Sequence, residues 1–161
     1  MINLILILTF LPFSLAFSIS NEEVARDIHQ QAKGAWVMTH DEYYDAITKR
    51  ELNKVTSYHS RTIKMFDKGK GSKLFDCDDY ALTFKAAVSY YSLLRGANYI
   101  CGIIIVKQEE DFGSVEGGDD VYHALNLLMM NDTYIVLEPQ GYDVVALSDY
   151  PNRANIIKVI I

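Results

Sequence analysis

Phe75-Asp76-Cys77-Asp78-Asp79-Tyr80-Ala81 sets one of the chain's two cysteines at the start of a long apolar helix. Ala81, Phe84, Val88 and Tyr91 follow at helical spacing, with Leu82, Ala86, Leu93 and Leu94 on the flanks. Such coverage predicts a helix over 78–95 packed on more than one side and stopped by Gly96 as a left-handed cap. Beyond it, 100–106, 121–130 and 133–138 are rich in β-branched and apolar residues and read as strands, and 155–161 could join the same sheet. The expected class is α+β: helices first, with the Cys77 nucleophile helix packed on an antiparallel sheet.

Working outward, Ser20-Asn21-Glu22-Glu23 fits a capping box that opens a helix to about Lys33, with Gly34 ending it. Thr39 to Glu42 offers a second cap leading into a helix near 41–50, and 55–66, an ambiguous stretch, is read as helix. Lys68-Gly69-Lys70-Gly71-Ser72 is a flexible turn that delivers the chain to Asp76. Residues 1–16 hold no charged side chain and end in Ser14-Leu15-Ala16, small residues of the kind signal peptidase accepts. The run is short for a membrane span. A cleaved signal is expected, and with it a secreted, lumenal or periplasmic address; an uncleaved anchor or a buried first helix is the alternative. That leaves one domain over 17–161, helical over 17–72 and a catalytic core over 73–161, with no membrane span and an open oligomeric state.

The formal net charge of −6 lies outside that signal, which argues against nucleic acid or an anionic membrane as partner. The acidity is local, in Glu109-Glu110-Asp111, in Glu116 to Asp120 and in Asp76, Asp78 and Asp79. The loop 109–120 fits no EF-hand spacing and reads as a solvated mobile flap rather than a second metal site. A disulfide between Cys77 and Cys101 is not expected, because the helix between them separates its ends by roughly 27 Å and a bridge needs Cα atoms within about 7 Å.

Asn131-Asp132 suits a two-residue hairpin loop. If Met130 then opposes Thr133, Leu125 opposes Glu138 and His123 opposes Gln140. His123, Leu125, Glu138 and Gln140 share one face, while Asn126 points to the other. His123 and Glu138 become diagonal neighbours within side-chain reach. A thiol at a helix N-terminus, an imidazole and a carboxylate, in that chain order, are the parts of a cysteine nucleophile and its base. Glu138 would fix the tautomer of His123, and the Cys77 backbone N–H would be the oxyanion donor. The rival reading is a core or surface histidine with no chemical role.

Asp76-Cys77-Asp78-Asp79-Tyr80-Ala81, the Leu94-Arg95-Gly96 stop, the strand from Gly102, His123-Ala124-Leu125-Asn126-Leu127 and the Glu138-Pro139 segment together resemble the core of transglutaminase-like and papain-like cysteine peptidases. The resemblance is closest to calcium-dependent bacterial transglutaminase-like cysteine proteases and to the protease domain of a fungal galactose-binding agglutinin. It covers about 74–140. It implies Cys77 as nucleophile, His123 as base and Glu138 as orienting acid, with Gln140 as possible support. It also implies calcium held by Asp76 and Asp78, with Asp79 a further ligand. The chain departs from the family in having Glu138-Pro139-Gln140 where aspartate-proline-threonine is usual, and Leu125 where an aromatic often sits.

Three carboxylates beside a thiol should raise its pKa, and a hard cation would cancel that field. The competing reading is that these acids only cap the helix. Asn131-Asp132-Thr133 is a glycosylation sequon at a hairpin tip. The expected function is a secreted thiol hydrolase, an endopeptidase acting on a protein or peptide substrate. A transamidase, a self-processing factor and a catalytically silent calcium-stabilised binding module with the same fold are the alternatives.

Overall fold

The computed structural model describes residues 18–66, 76–113, 117–118 and 121–161. The expected signal at 1–16 and the turn at 68–72 lie outside these residues. Helix α1 (Asn21–Gln31) opens on the expected capping box: Ser20 Oγ accepts from Glu23 N at 3.3 Å, and the Glu23 carboxylate accepts from Ser20 N at 3.2 Å. Helix α2 (Lys49–Phe66) opens on a similar exchange between Thr48 and Glu51. Helix α3 (Cys77–Arg95) starts at the N-cap Asp76 and stops at Gly96, whose φ of 63° is left-handed.

Strand β1 (Ser18–Ser20) pairs antiparallel with β3 (Tyr43–Asp45) as a separate two-stranded sheet. The larger sheet contains β2 (Trp36–Met38), β4 (Cys101–Lys107), β5 (Tyr122–Met130), β6 (Thr133–Leu137), β7 (Val144–Ala146) and β8 (Ile156–Ile160). Its spatial order is β2-β8-β4-β5-β6-β7. One face packs on α1 and the Tyr44, Leu147 and Tyr150 side chains; the other packs on α2 and α3.

Three expectations need correcting here. First, the α+β class with a purely antiparallel sheet behind leading helices is not what forms. A six-stranded mixed sheet organises the molecule, and β2, from the part expected to be helical, lies parallel to β8. Three-residue strands are too short to display a period, so only their distant partners define them. Second, the helix expected near 41–50 does not form; of that stretch only 49–50 are helical, as the start of α2. Tyr44 is buried, its hydroxyl accepts from His40 N and Asp41 N, and the Asp45 carboxylate accepts from Ser18 Oγ and Asn98 N. The bonds of Asp45 to distant chain outweigh the local cap signal. Third, α3 does pack on more than one element, the sheet and α2, but not through all the apolar residues expected to cover it. Ala81, Phe84 and Val88 are buried, but Leu82, Leu93 and Leu94 are exposed, on the part of the helix that neither the sheet nor α2 covers.

The β5–β6 hairpin has the expected register, Met130 opposite Thr133 through Asn126 opposite Leu137. Asn131 takes φ 55°, the left-handed geometry its two-residue loop requires.

Candidate functional site

The start of α3, the start of β5 and the end of β6 converge on three side chains. Cys77 is the first residue of α3, so its backbone N–H has no partner inside the helix. Asp76 and Asp79 flank it, and the Asp79 carboxylate accepts from Asp76 N at 3.4 Å. His123 sits on β5 and Glu138 one residue beyond β6, both buried, and the His123 Nε2–H donates to Glu138 Oε2. That bond leaves Nδ1 for the sulfur. The His123 side chain and the Ala124 backbone both act on the Cys77 thiol and favour its ionised form.

The electrostatics follow from these contacts. The hydrogen bond to His123 holds the Cys77 thiol below its ordinary value, against opposition from burial and from the Asp76 charge. Burial by itself would lower His123, but its bonds to Cys77 and Glu138 and their negative charges overcome that and raise it to about 9. The two shifts run in opposite senses, the thiol towards its ionised form and the ring towards its protonated one, with Glu138 behind the ring. Cys101 shows what the same thiol becomes without them: fully buried on β4, it is pushed up to about 12. Both cysteines are free.

Asn126 lies away from this relay and pins α3 to the sheet, donating to Ala81 O at 2.9 Å and Gly102 O at 3.3 Å. Gln140 is exposed; its backbone N–H, not its side chain, serves the site by donating to Glu138 Oε1 at 2.9 Å. Asp76, Asp78 and Asp79 bring one ligand atom each within 4.8 Å of one another at the surface beside Cys77. Hydrogen bonding and charge from Asp76 raise the Asp78 carboxyl above its usual range.

Sequence reasoning overlooked His59 and Tyr142. His59, buried on α2, joins Tyr142 Oη at 2.8 Å through Nδ1 and Thr83 Oγ1 at 3.0 Å through Nε2. Thr83 spends its proton on the Asp79 and Tyr80 carbonyls, so His59 Nε2–H donates to Thr83 and Nδ1 accepts from Tyr142. Tyr142 belongs to the turn that carries Glu138, closed by Glu138 N to Asp143 O at 2.9 Å and Tyr142 N to Glu138 O at 2.6 Å. Its φ of 64° has no local sequence signature.

No family model matches the chain, and no curated protein matches it. Among solved structures, the PSL1a–E64 complex aligns with TM-score 0.66 at 20% identity, over 89% of this chain and 50% of that one. Polyporus squamosus lectin bound to the human-type influenza-binding epitope Neu5Aca2-6Galb1-4GlcNAc aligns with TM-score 0.65 at 17% identity, over 89% and 49%. The fold is shared with a lectin.

The chain spans about half the length of these lectin structures, and at such identities the likeness is one of fold. The expected membership of the transglutaminase-like or papain-like cysteine peptidases is corrected accordingly. No model of such a family matches, and the structures that share the fold bear a lectin's name rather than a peptidase's. The expectation of a cysteine peptidase falls with it, as does the fold class tied to that family's core. Among the described residues no helix is long and apolar enough to cross a membrane.

Proposed function

We propose that this chain is a binding module whose ligand contact is the half-exposed surface at Cys77, where an electrophilic ligand meets a thiolate paired with the His123 imidazolium. One observation carries the reading: thiol, ring and carboxylate stand in series, with Glu138 wholly buried while Cys77 remains half-exposed. A core histidine with no role would not need a thiol on one nitrogen and a buried acid on the other.

E64, the small molecule named with one solved neighbour, is a thiol-directed epoxide and is the natural probe. The Cys77 thiolate would attack an epoxide carbon, an S–C bond would form, the C–O bond would open, and the alkoxide would take the His123 proton. Intact-mass spectrometry after E64 treatment should show one adduct, absent from Cys77→Ser and slower to form in His123→Ala. No adduct, or one indifferent to His123, overturns the proposal. Repeated release of product from an ester or peptide would overturn the binding reading in the other direction.

Calcium fits the neighbouring acids by donor type: Asp76, Asp78 and Asp79 offer the hard oxygen ligands this ion takes. They would hold it, and its charge would offset their field at the Cys77 sulfur. Millimolar calcium should then raise the melting temperature of the parent but not of Asp78→Asn, and equal melting in calcium and chelator sinks this part.

A second reading, glycan binding, is favoured by the sialylated epitope bound to the Polyporus squamosus lectin and by one surface feature here. Tyr58 and Tyr90 stack at 6.0 Å along a groove of about 220 Å³ between α2 and α3, and aromatic faces suit the C–H faces of sugars. Titration with the same trisaccharide, watching tyrosine ring resonances, tests it; unmoved Tyr58 and Tyr90 signals exclude this groove.

A further inference from the structure

The acidic loop expected to be a free flap is, at its described residues, fastened over Glu138. Asn152, itself buried, accepts from Glu109 N and Glu110 N through Oδ1, both at 2.8 Å, and donates from Nδ2 to Glu110 O at 2.7 Å. Two residues on, the Phe112 ring meets the buried Tyr150 ring edge to face at 5.0 Å. The loop's far limb is tied back by Gly118 N to Gln108 O at 2.9 Å and Gly117 N to Asp111 Oδ1 at 2.8 Å. Between these fastenings and the relay lies Gly113. A Cβ there would come within 3.1 Å of Glu138 Cγ, 3.4 Å of Glu138 Cβ and 3.1 Å of Asp143 Oδ2.

We infer that residues 109–113 form a fixed cover that aims the Glu138 carboxylate at His123, with Asn152 and Gly113 as positioning residues. Two arguments join. A Cβ at Gly113 would press on Glu138 more tightly than ordinary packing allows, so that one of them would have to give, and the cover limits where the acid's chain can swing. Three hydrogen bonds from one buried side chain also hold the segment more firmly than its exposed acids require. Asn152 lies on neither the Cys77 helix nor the His123 strand, and its hydrogen bonds to Glu109 and Glu110 tie it to this segment. The inference rests on the Cys77–His123–Glu138 reading and adds the residues that aim its acid.

The experiment reads the His123 Nε2–H proton by NMR at neutral pH, since a ring N–H bonded to a buried carboxylate resonates far downfield and exchanges slowly. Gly113→Ala and Asn152→Ala should each move that resonance upfield or lose it, and should slow E64 labelling of Cys77 at fixed pH by about tenfold, the equivalent of one pKa unit. Gly96→Ala is the matched control. Its φ of 63° against 62° at Gly113 imposes the same backbone strain, but a Cβ there meets nothing within 4 Å. It should melt lower and keep the parent's proton signal and labelling rate.

If Gly113→Ala is too unstable to purify, Phe112→Leu loosens the same cover without adding an atom beside Glu138 and carries the same expectation. Spectra of the cover variants that coincide with that of Gly96→Ala overturn the inference, whatever their melting temperatures. A parent whose labelling ignores His123 refutes the site itself. A parent that depends on His123, with unaffected cover variants, refutes only the cover.

Discussion

His59 on α2 and His123 on β5 are both buried, but the first faces two hydroxyls and the second a thiol and a carboxylate. Burial lowers His59 to about 4 and keeps it neutral. For His123 the same penalty is overcome by the hydrogen bonds and charges of Cys77 and Glu138, which raise it to about 9. Depth alone therefore does not decide a histidine's charge; the partner at the second ring nitrogen does. One histidine joins α2 to α3 and to the Glu138 turn as a neutral strut. The other is a cation poised between sulfur and acid.

The contrast breaks most readily at the acid. Glu138→Ala would leave an imidazolium buried without its anion and should cost about 3–5 kcal/mol by urea denaturation at pH 6. Thr83→Val deprives the neutral His59 of an acceptor and should cost less, about 1–3 kcal/mol. Equal losses would mean that His123 is not charged in the fold.

The pH dependence separates the two rings next. Below pH 6.5 the unfolded chain takes up a proton on His59 that the fold rejects, so stability falls as pH drops from 6.5 to 4, by on the order of 3 kcal/mol. His59→Gln should flatten that acid limb. His123 behaves in the opposite sense: its contribution is full below pH 6.5 and is lost as pH rises through about 9. His123→Gln should flatten the alkaline limb alone. Melting curves across pH 4–10 check both, and a swap of limbs refutes the assignment.

Tyr142→Phe is a finer probe. It removes the hydroxyl that donates to His59 Nδ1, at a cost of about 1–2 kcal/mol. It should leave the alkaline limb of His123 untouched. Smallest is Ser20→Ala, which removes the α1 cap far from either ring and should cost about 1 kcal/mol with both limbs intact.

The relay's legibility has a definite source. Asn131 at a two-residue hairpin sets the β5–β6 register, and register brings His123 beside Glu138 by counting residues alone. Asp76 and Gly96 mark the ends of the helix that bears Cys77. His59 gave no such signal, because its partners Thr83 and Tyr142 lie on other elements and neither spacing nor periodicity links them. The acidic loop was misjudged for a related reason. Glu109, Glu110 and Asp111 read as solvated because their side chains are, yet the loop is held through the backbones of Glu109 and Glu110 by Asn152. The family resemblance failed differently, since short motifs in the right order do not identify a family that no family model recovers.

By itself, the sequence determined the helix caps, the hairpin register and the meeting of His123 with Glu138, because each depends on residues a few positions apart or on a side-chain alternation that can be counted. Only the tertiary structure decided the parallel pairing of β2 with β8, the strand at Tyr43–Asp45, the His59 strut and the cover over Glu138. Those features arise from hydrogen bonds and close approaches between distant parts of the chain. A distant partner's geometry outweighs local preference wherever the local signal is only three residues long.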